Sequence, residues 1–272
     1  MNAPEIRPEQ SQELLKTLHI LTRDGKLNQD TRRKLKQVYH LFGFIEPLLA
    51  ELDAADNDYS IVDHGAGKSY LGFILYDLFL KARQKGHIYG VETRPTLVTS
   101  ARALAAKLNF LRMAFLHLTV EASIASPALP PHVDMVTALH ACDTATDDAI
   151  RFALEKNARF IVLIPCCQAE VAAALRRNKA QTLAATPLSE LWRHPIHSRE
   201  FGSHVTNVLR ALLLQSHGYQ VSVTELVGWE HSMKNELIIA QKTDTHRGDA
   251  RPRAEALLTM LHLEALRSRF IY

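Results

Sequence analysis

Apolar positions along this chain change their period repeatedly. Short β-branched runs such as SIVDH and RFIVLIP alternate with longer stretches whose apolar residues recur every three or four positions. The spacing predicts strands near 60–64, 87–92, 113–120, 133–139 and 159–164. Helices are expected near 68–85, 95–109 and 145–157, and two more near 8–22 and 29–53, the second broken or kinked before Pro47. A helix over 198–217 ends at His217 and Gly218, after which YQVSVTELVG and KNELIIAQK read as a closing hairpin. Residues 126–132, with three prolines, read as a surface loop, and 178–197 as a longer irregular one. Strands that alternate with helices favour an α/β fold built on a mostly parallel sheet. No internal repeat or low-complexity segment interrupts the pattern.

Composition narrows this picture without redirecting it. The chain has 272 residues, 47% hydrophobic and 22% charged. That is enough for one large core, with a domain of about 180 to 200 residues plus extensions. Cys142, Cys166 and Cys167 have no CxxC spacing, and an odd count argues against a disulfide framework, so a reducing cytoplasm is expected. Residues 1–16 have no apolar centre and read as no signal peptide. The most apolar run, Tyr70 to Leu80, is too short to span a bilayer and contains Asp77.

Net charge is only +3, so clustering matters more than the total. Arg32, Arg33, Lys34 and Lys36 fall together on a helical segment whose apolar stripe is Leu35, Val38, Tyr39 and Leu41. These cations suit a phosphate backbone or form an ordinary solvated face. The C-terminal segment from Arg247 repeats the theme, with arginines around Leu257, Leu258, Leu261 and Leu263.

The chemistry concentrates in IVDHGAGKSYLG, residues 61–72. A strand ends in an Asp-x-Gly-x-Gly turn and a helix starts at once. Gly65 and Gly67 leave no Cβ between backbone and ligand, and the amides of the following helix point into the same crevice. Glu92 ends the next strand about 25 residues later, where a carboxylate can accept hydrogen bonds from both hydroxyls of a ribose. A dinucleotide motif would have a third glycine where this chain has Tyr70. Asp63 would repel a pyrophosphate, whereas the ammonium and sulfonium of S-adenosylmethionine match its charge.

With DHGAGKSYLG at 63–72, LHACDTATD at 139–147, IPCCQ at 164–168 and the KNELIIAQK ending, the chain resembles a class I S-adenosylmethionine-dependent methyltransferase. More narrowly it is similar to the domain shared by the glutathione S-transferase C-terminal domain-containing protein and a eukaryotic tRNA 2′-O-methyltransferase. The likeness covers roughly residues 30–242 and departs at Ser69, where many relatives have Gly, and at Gln168, where some have His. It implies a Rossmann-like seven-stranded sheet with an antiparallel last strand and S-adenosylmethionine as cofactor. Residues 1–56 would then be a helical extension open to substrate, 57–242 the methyltransferase domain and 243–272 a helical tail. The cofactor residues so implied are Asp63, His64, Gly65, Ala66, Gly67, Tyr70, Leu71 and Glu92, then Glu121 and Ala122 beside the adenine, then His140, Ala141 and Cys142.

The remaining strand ends supply candidates for catalysis. Asp143 receives the methionine ammonium or orients a substrate; alternatively, Asp143 or Thr144 caps the following helix. His140 reads as a base or as a packed histidine, and His231 is a further candidate base. Pro165, Cys166, Cys167 and Gln168 follow the fifth strand. A thiolate there could attack C6 of a pyrimidine and activate C5 for methylation, or the cysteines are small buried apolar residues. Ser203, Asn207 and Arg210, at helical spacing, hold a substrate phosphate or face solvent. The expectation is an RNA methyltransferase without metal, membrane or obligate protein partner. A protein or small-molecule methyltransferase and a binding-only scaffold are the alternatives.

Overall fold

A computed structural model describes residues 5–55, 57–139, 143–165, 168–177, 190–191, 193–226, 236–243 and 248–272. His140, Ala141, Cys142, Cys166, Cys167 and His231 therefore lie outside the described residues, as do most of 178–197. The order of elements is α1 (Gln12–Thr17), α2 (Gln29–Asp53), β1 (Ser60–His64), α3 (Tyr70–Leu78), β2 (His87–Glu92), α4 (Pro95–Lys107), β3 (Met113–His117), α5 (Val120–Ala125) and β4 (Met135–Leu139). Then follow α6 (Thr144–Glu155), β5 (Phe160–Ile164), α7 (Glu170–Arg177), α8 (Pro195–Ser216), β6 (Tyr219–Glu225), β7 (Glu236–Lys242), α9 (Ala250–Met260) and α10 (Arg267–Phe270).

The seven strands form one sheet in the order β3-β2-β1-β4-β5-β7-β6. The first five pair in parallel, while β7 runs antiparallel to both β5 and β6. β1 and β5 are buried along their whole length, which is why β5 is a continuous apolar run and not an alternating one, while β1 ends in the buried polar pair Asp63 and His64. Successive residues point to opposite faces: Ile61 joins α2, α3 and α4 through Phe42, Phe73 and Ala101, and Val62 joins α6 and α8 through Phe152 and Leu213. A satellite cluster holds α7, α8 and α9 together, with Leu175, Leu209 and Leu258 at its centre.

Several boundaries follow from local chemistry. Asn28 and Thr31 form a reciprocal capping box at the start of α2, whose helix runs on through Pro47 as one element. α1 is shorter than its periodicity predicts, α3 stops at Leu78, and α5 and α7 are short helices that no long apolar stripe announces. Leu35 and Val38 of α2 share a cluster with Ile74, against which Tyr70 packs. α2 and α3 thus pack together through one apolar cluster.

The chain leaves β1 outward through β2 and β3, then returns to the other side of β1 as β4. That reversal opens a crevice beyond the carboxyl ends of β1 and β4.

Candidate functional site

Each strand end brings a different group to that crevice. β1 delivers Asp63 and His64, both buried, followed by Gly65 and Gly67 with φ of 66° and 60°. These left-handed angles are ones glycine adopts without strain. Ser69 is also left-handed, at φ 51°, and its buried hydroxyl donates to Asp63 Oδ2 at 3.0 Å. The departure from glycine at this position exchanges backbone freedom for a side-chain hydrogen bond. Thr137 of β4 donates to Asp63 Oδ1 at 3.0 Å, so both carboxylate oxygens are engaged. Burial still pushes the Asp63 carboxyl up to about 6, against the hydrogen bonds from Ser69 and Thr137.

Glu92 behaves oppositely. Its side chain is 7% exposed, and burial by itself would raise its pKa. Hydrogen bonds from Arg94 and from the Gly67 amide (2.7 Å) outweigh that and hold the carboxyl down at about 2. Glu92 is therefore ionised, and it ties the end of β2 to the glycine turn of β1. Arg94 packs alongside, its Nη2 3.1 Å from Glu92 Oε2 and its head largely in solvent.

Two adjoining hollows form around these groups. A cleft of about 500 Å³ is lined by His64, Gly65, Val91, Glu92, Thr93, Arg94, Leu118, Val120, Ala145 and Asp148. A smaller one of about 220 Å³ is lined by Asp63, Gly65, Ala66, Gly67, Lys68, Tyr70, Leu71, Arg94 and Leu139. Gly65 and Arg94 belong to both. The structure thus brings together Asp63, His64, Gly65, Ala66, Gly67, Tyr70, Leu71 and Glu92, all candidates from the sequence. Sequence reasoning misses Thr93, Arg94, Leu118, Val120, Ala145 and Asp148. Arg94 and Asp148 have no stronger signal than their place just past a strand end or one turn into a helix. Another hollow of about 500 Å³ lies between α6 and the C-terminal segment and shares only Asp148 with the cleft; no strand end reaches it.

Other candidates stand elsewhere. Glu121 and Ala122 are exposed in the first turn of α5 and do not line the cleft, where Leu118 and Val120 take that side. Asp143 caps neither its own helix nor an open site: its Oδ1 accepts from the amides of Ala169 (3.1 Å) and Glu170 (3.2 Å), at the start of α7. Arg210 and Asn207 are not available to a substrate phosphate. Arg210 is fully buried, paired with Asp147 at 2.6 Å, and the Asn207 side chain bonds Glu236 and Arg210. Their helical spacing holds, but the polar face points into the protein because α6, β7 and the segment after β5 supply partners. Gln168 is buried too, its amide held by Ser203 (2.6 Å) and Asn207 (3.4 Å). Pro165 is buried directly after β5.

On α2, Arg32 pairs with Glu5 and Lys34 with Asp30. Arg33 and Lys36 are exposed, with no hydrogen bond or ion pair to another described residue. Among the described residues no group of three or more His, Cys, Asp or Glu is placed to hold a metal, and no helix is long and apolar enough to cross a membrane.

The sequence profile of a family described as methyltransferase domain matches residues 33–174, over half of the chain. The chain belongs to this methyltransferase family. No curated protein sequence matches the methyltransferase. Similar solved structures include the S-adenosylhomocysteine-bound methyltransferase PaMTH1 of Podospora anserina, at 12% identity and TM-score 0.48, covering 89% of this chain and 91% of that one. An rRNA methylase from Streptococcus thermophilus has 9% identity and TM-score 0.47, over 74% and 95% of the two chains. The N-terminal domain of human METTL16 in complex with S-adenosylhomocysteine has 10% identity and TM-score 0.45, over 76% and 70%.

A methyltransferase needs a methyl donor, and the sequence points to S-adenosylmethionine. The cleft fits it on its own chemistry. The ionised carboxylate at the end of β2 can accept ribose hydroxyls once they displace the solvent-exposed Arg94 head from it, and Val91, Leu118 and Val120 give an apolar wall for a base. The glycine turn, with Asp63 behind it, leaves a hollow suited to a short cationic chain. His64 adds a buried ring nitrogen, Nδ1, with no hydrogen-bond partner among the described residues.

Proposed function

We propose that this methyltransferase acts on RNA, within the family shared with the glutathione S-transferase C-terminal domain-containing protein and the tRNA 2′-O-methyltransferase. The observation that carries the reading is the set of exposed cations on α2 and at the edge of the smaller hollow. Arg33 and Lys36 are exposed on α2, which packs against α3, and exposed Lys68 and Arg94 edge the smaller hollow. The single carboxylate of S-adenosylmethionine can engage Lys68, and Arg94 is already paired with Glu92, so the cofactor does not call for the exposed Arg33 and Lys36 of α2. A polyanionic acceptor does. DHGAGKSYLG, LHACDTATD and IPCCQ support the narrower kinship.

S-adenosylmethionine brings an activated methyl group, which leaves the protein to align the acceptor and exclude water. Glu92 would hold the ribose, and Gly65, Ala66, Gly67, Tyr70 and Leu71 the amino-acid end. Asp63 acts from behind, fixing Ser69 and Thr137. The acceptor would lie beyond the carboxyl ends of β4 and β5, where the sequence reading has His140, Cys166 and Cys167 as catalytic candidates and His140, Ala141 and Cys142 as cofactor candidates. Residues 1–56 would contribute the RNA-contacting α2, 57–242 the methyltransferase domain and 243–272 a docked tail, in a cytoplasmic protein.

Mass spectrometry of nucleosides from cells lacking the protein tests this: one methylated nucleoside should disappear. With purified protein, tRNA binding should weaken as salt rises. Arg33→Ala with Lys36→Ala should lower the slope of log K against log salt by about 0.7 to 0.9 for each phosphate that is no longer neutralised. An unchanged nucleoside profile and an unchanged slope would instead point to a protein or small-molecule acceptor. Absence of S-adenosylmethionine binding would point to a scaffold.

A further inference from the structure

Asp143 is the most strained non-glycine residue beside the cleft. It adopts φ 51° and ψ −117°, in a sparsely populated region that persists only where its surroundings enforce it. It lies between Leu139 and Ala145, which both line the cofactor hollows. Among the described residues, three hydrogen bonds tie it to other segments. The carboxylate accepts the amides of Ala169 and Glu170, and the main-chain carbonyl accepts Arg210 Nη2 at 2.8 Å.

Arg210 is the hub of this arrangement. Its Nε and Nη2 grip both oxygens of Asp147 at 2.6 and 3.1 Å, Nη2 also reaches the Asp143 carbonyl, and Nη1 donates to Asn207 Oδ1 at 3.2 Å. That same Asn207 oxygen accepts Gln168 Nε2, and Ser203 donates to the other end of the Gln168 amide. One buried guanidinium on α8 therefore fixes Asp143 directly and Gln168 through Asn207. These two residues lie beyond the carboxyl ends of neighbouring strands, β4 and β5, on the side of the crevice left for an acceptor. A guanidinium has five N–H donors in a rigid fork, and a lysine ammonium at this position could not span three separate acceptors.

We infer that Arg210 is a positioning residue for methyl transfer: it holds Asp143 and Gln168 in one arrangement and touches neither cofactor nor acceptor. The two aspartates of DTATD then have distinct roles, Asp143 tying β4 to α7 and Asp147 anchoring the arginine. The inference rests on the methyltransferase assignment alone and not on RNA as the acceptor.

The test uses Arg210→Lys in the full chain, which keeps a cation opposite Asp147 and releases the other partners. Methyl transfer is followed from tritiated S-adenosylmethionine into an extract of cells lacking the protein, counting RNA, protein and small-molecule fractions separately. Rates are normalised to S-adenosylhomocysteine-binding sites. The expected result is a kcat at least tenfold lower, with the KM for S-adenosylmethionine and the Kd for S-adenosylhomocysteine within threefold of wild type. Amide exchange at Ala169 and Glu170 should be at least tenfold faster. A kcat per site equal to wild type, or unchanged exchange at those amides, overturns the inference, as does a loss of cofactor affinity equal to the loss of rate. If Arg210→Lys fails to fold, Ser203→Ala decides: it removes one of the two side-chain hydrogen bonds on the Gln168 amide and should lower kcat about threefold, and an unchanged kcat overturns the inference. Counts that move from RNA to another fraction would refute the RNA reading and leave this one standing.

Discussion

Asp63 and His64 are neighbours in β1 and titrate in opposite senses. Burial raises the Asp63 carboxyl from 3.8 to about 6, so the folded chain holds this proton more tightly than the unfolded one. Its contribution to stability is complete below about pH 4 and is lost as pH rises through 6. Burial lowers His64 from 6.5 to about 4, so here the unfolded chain takes up the proton first. That contribution is complete above about pH 6.5 and is lost as pH falls toward 4. Each partly masks the other in the wild-type protein. Thermal unfolding should separate them: the midpoint of His64→Gln relative to wild type should climb as pH falls from 6.5 to 4, and that of Asp63→Asn as pH rises from 4 to 6. Flat differences in both series would contradict burial as the cause. The identities of Asp63 and Glu92 were legible in the sequence because both stand at the ends of apolar strands. Their states were not, because burial in the folded sheet raises Asp63, while the Gly67 amide, which helps Arg94 lower Glu92, comes from another segment.

At the level of elements, the packing of α7 on α8 depends on a glycine. A Cβ at Gly202 would stand 2.6 Å from the Ala172 Cα and Cβ and 2.8 Å from its backbone nitrogen, and a backbone cannot yield as a flexible side chain can. Gly202→Ala should push α7 away and cost about 1–3 kcal/mol, as overpacking in a filled core does. Urea unfolding measures this, and a change under about 0.5 kcal/mol, the range of ordinary surface substitutions, would show that the helices separate freely. α7 also carries the Glu170 amide bound by Asp143, so the same substitution reaches the strand ends. The sequence revealed α8 through its long periodicity but not α7, whose eight residues are too few to establish one. From its place in the sequence Asp143 is a cap for α6 or an open carboxylate, yet it serves α7 instead. Caps between segments distant in sequence leave no local signature. The same reason turns Asn207 and Arg210 from expected surface groups into buried ones.

The whole molecule follows from the alternation of strand and helix more directly than any single site does. Five parallel strands and an antiparallel hairpin ending were legible because buried strands are short apolar runs and the helices between them are amphipathic. The order of the sheet places the reversal of direction beside β1, and the reversal places the crevice. Everything proposed for the acceptor side depends on S-adenosylmethionine occupying that crevice with its ribose on Glu92. Calorimetric titration of S-adenosylhomocysteine into wild type and Glu92→Ala tests this most directly. The account predicts saturable one-to-one binding to wild type and an affinity at least tenfold weaker, about 1.4 kcal/mol, in the folded variant. Equal affinities in the two proteins, or no binding to wild type, would contradict it.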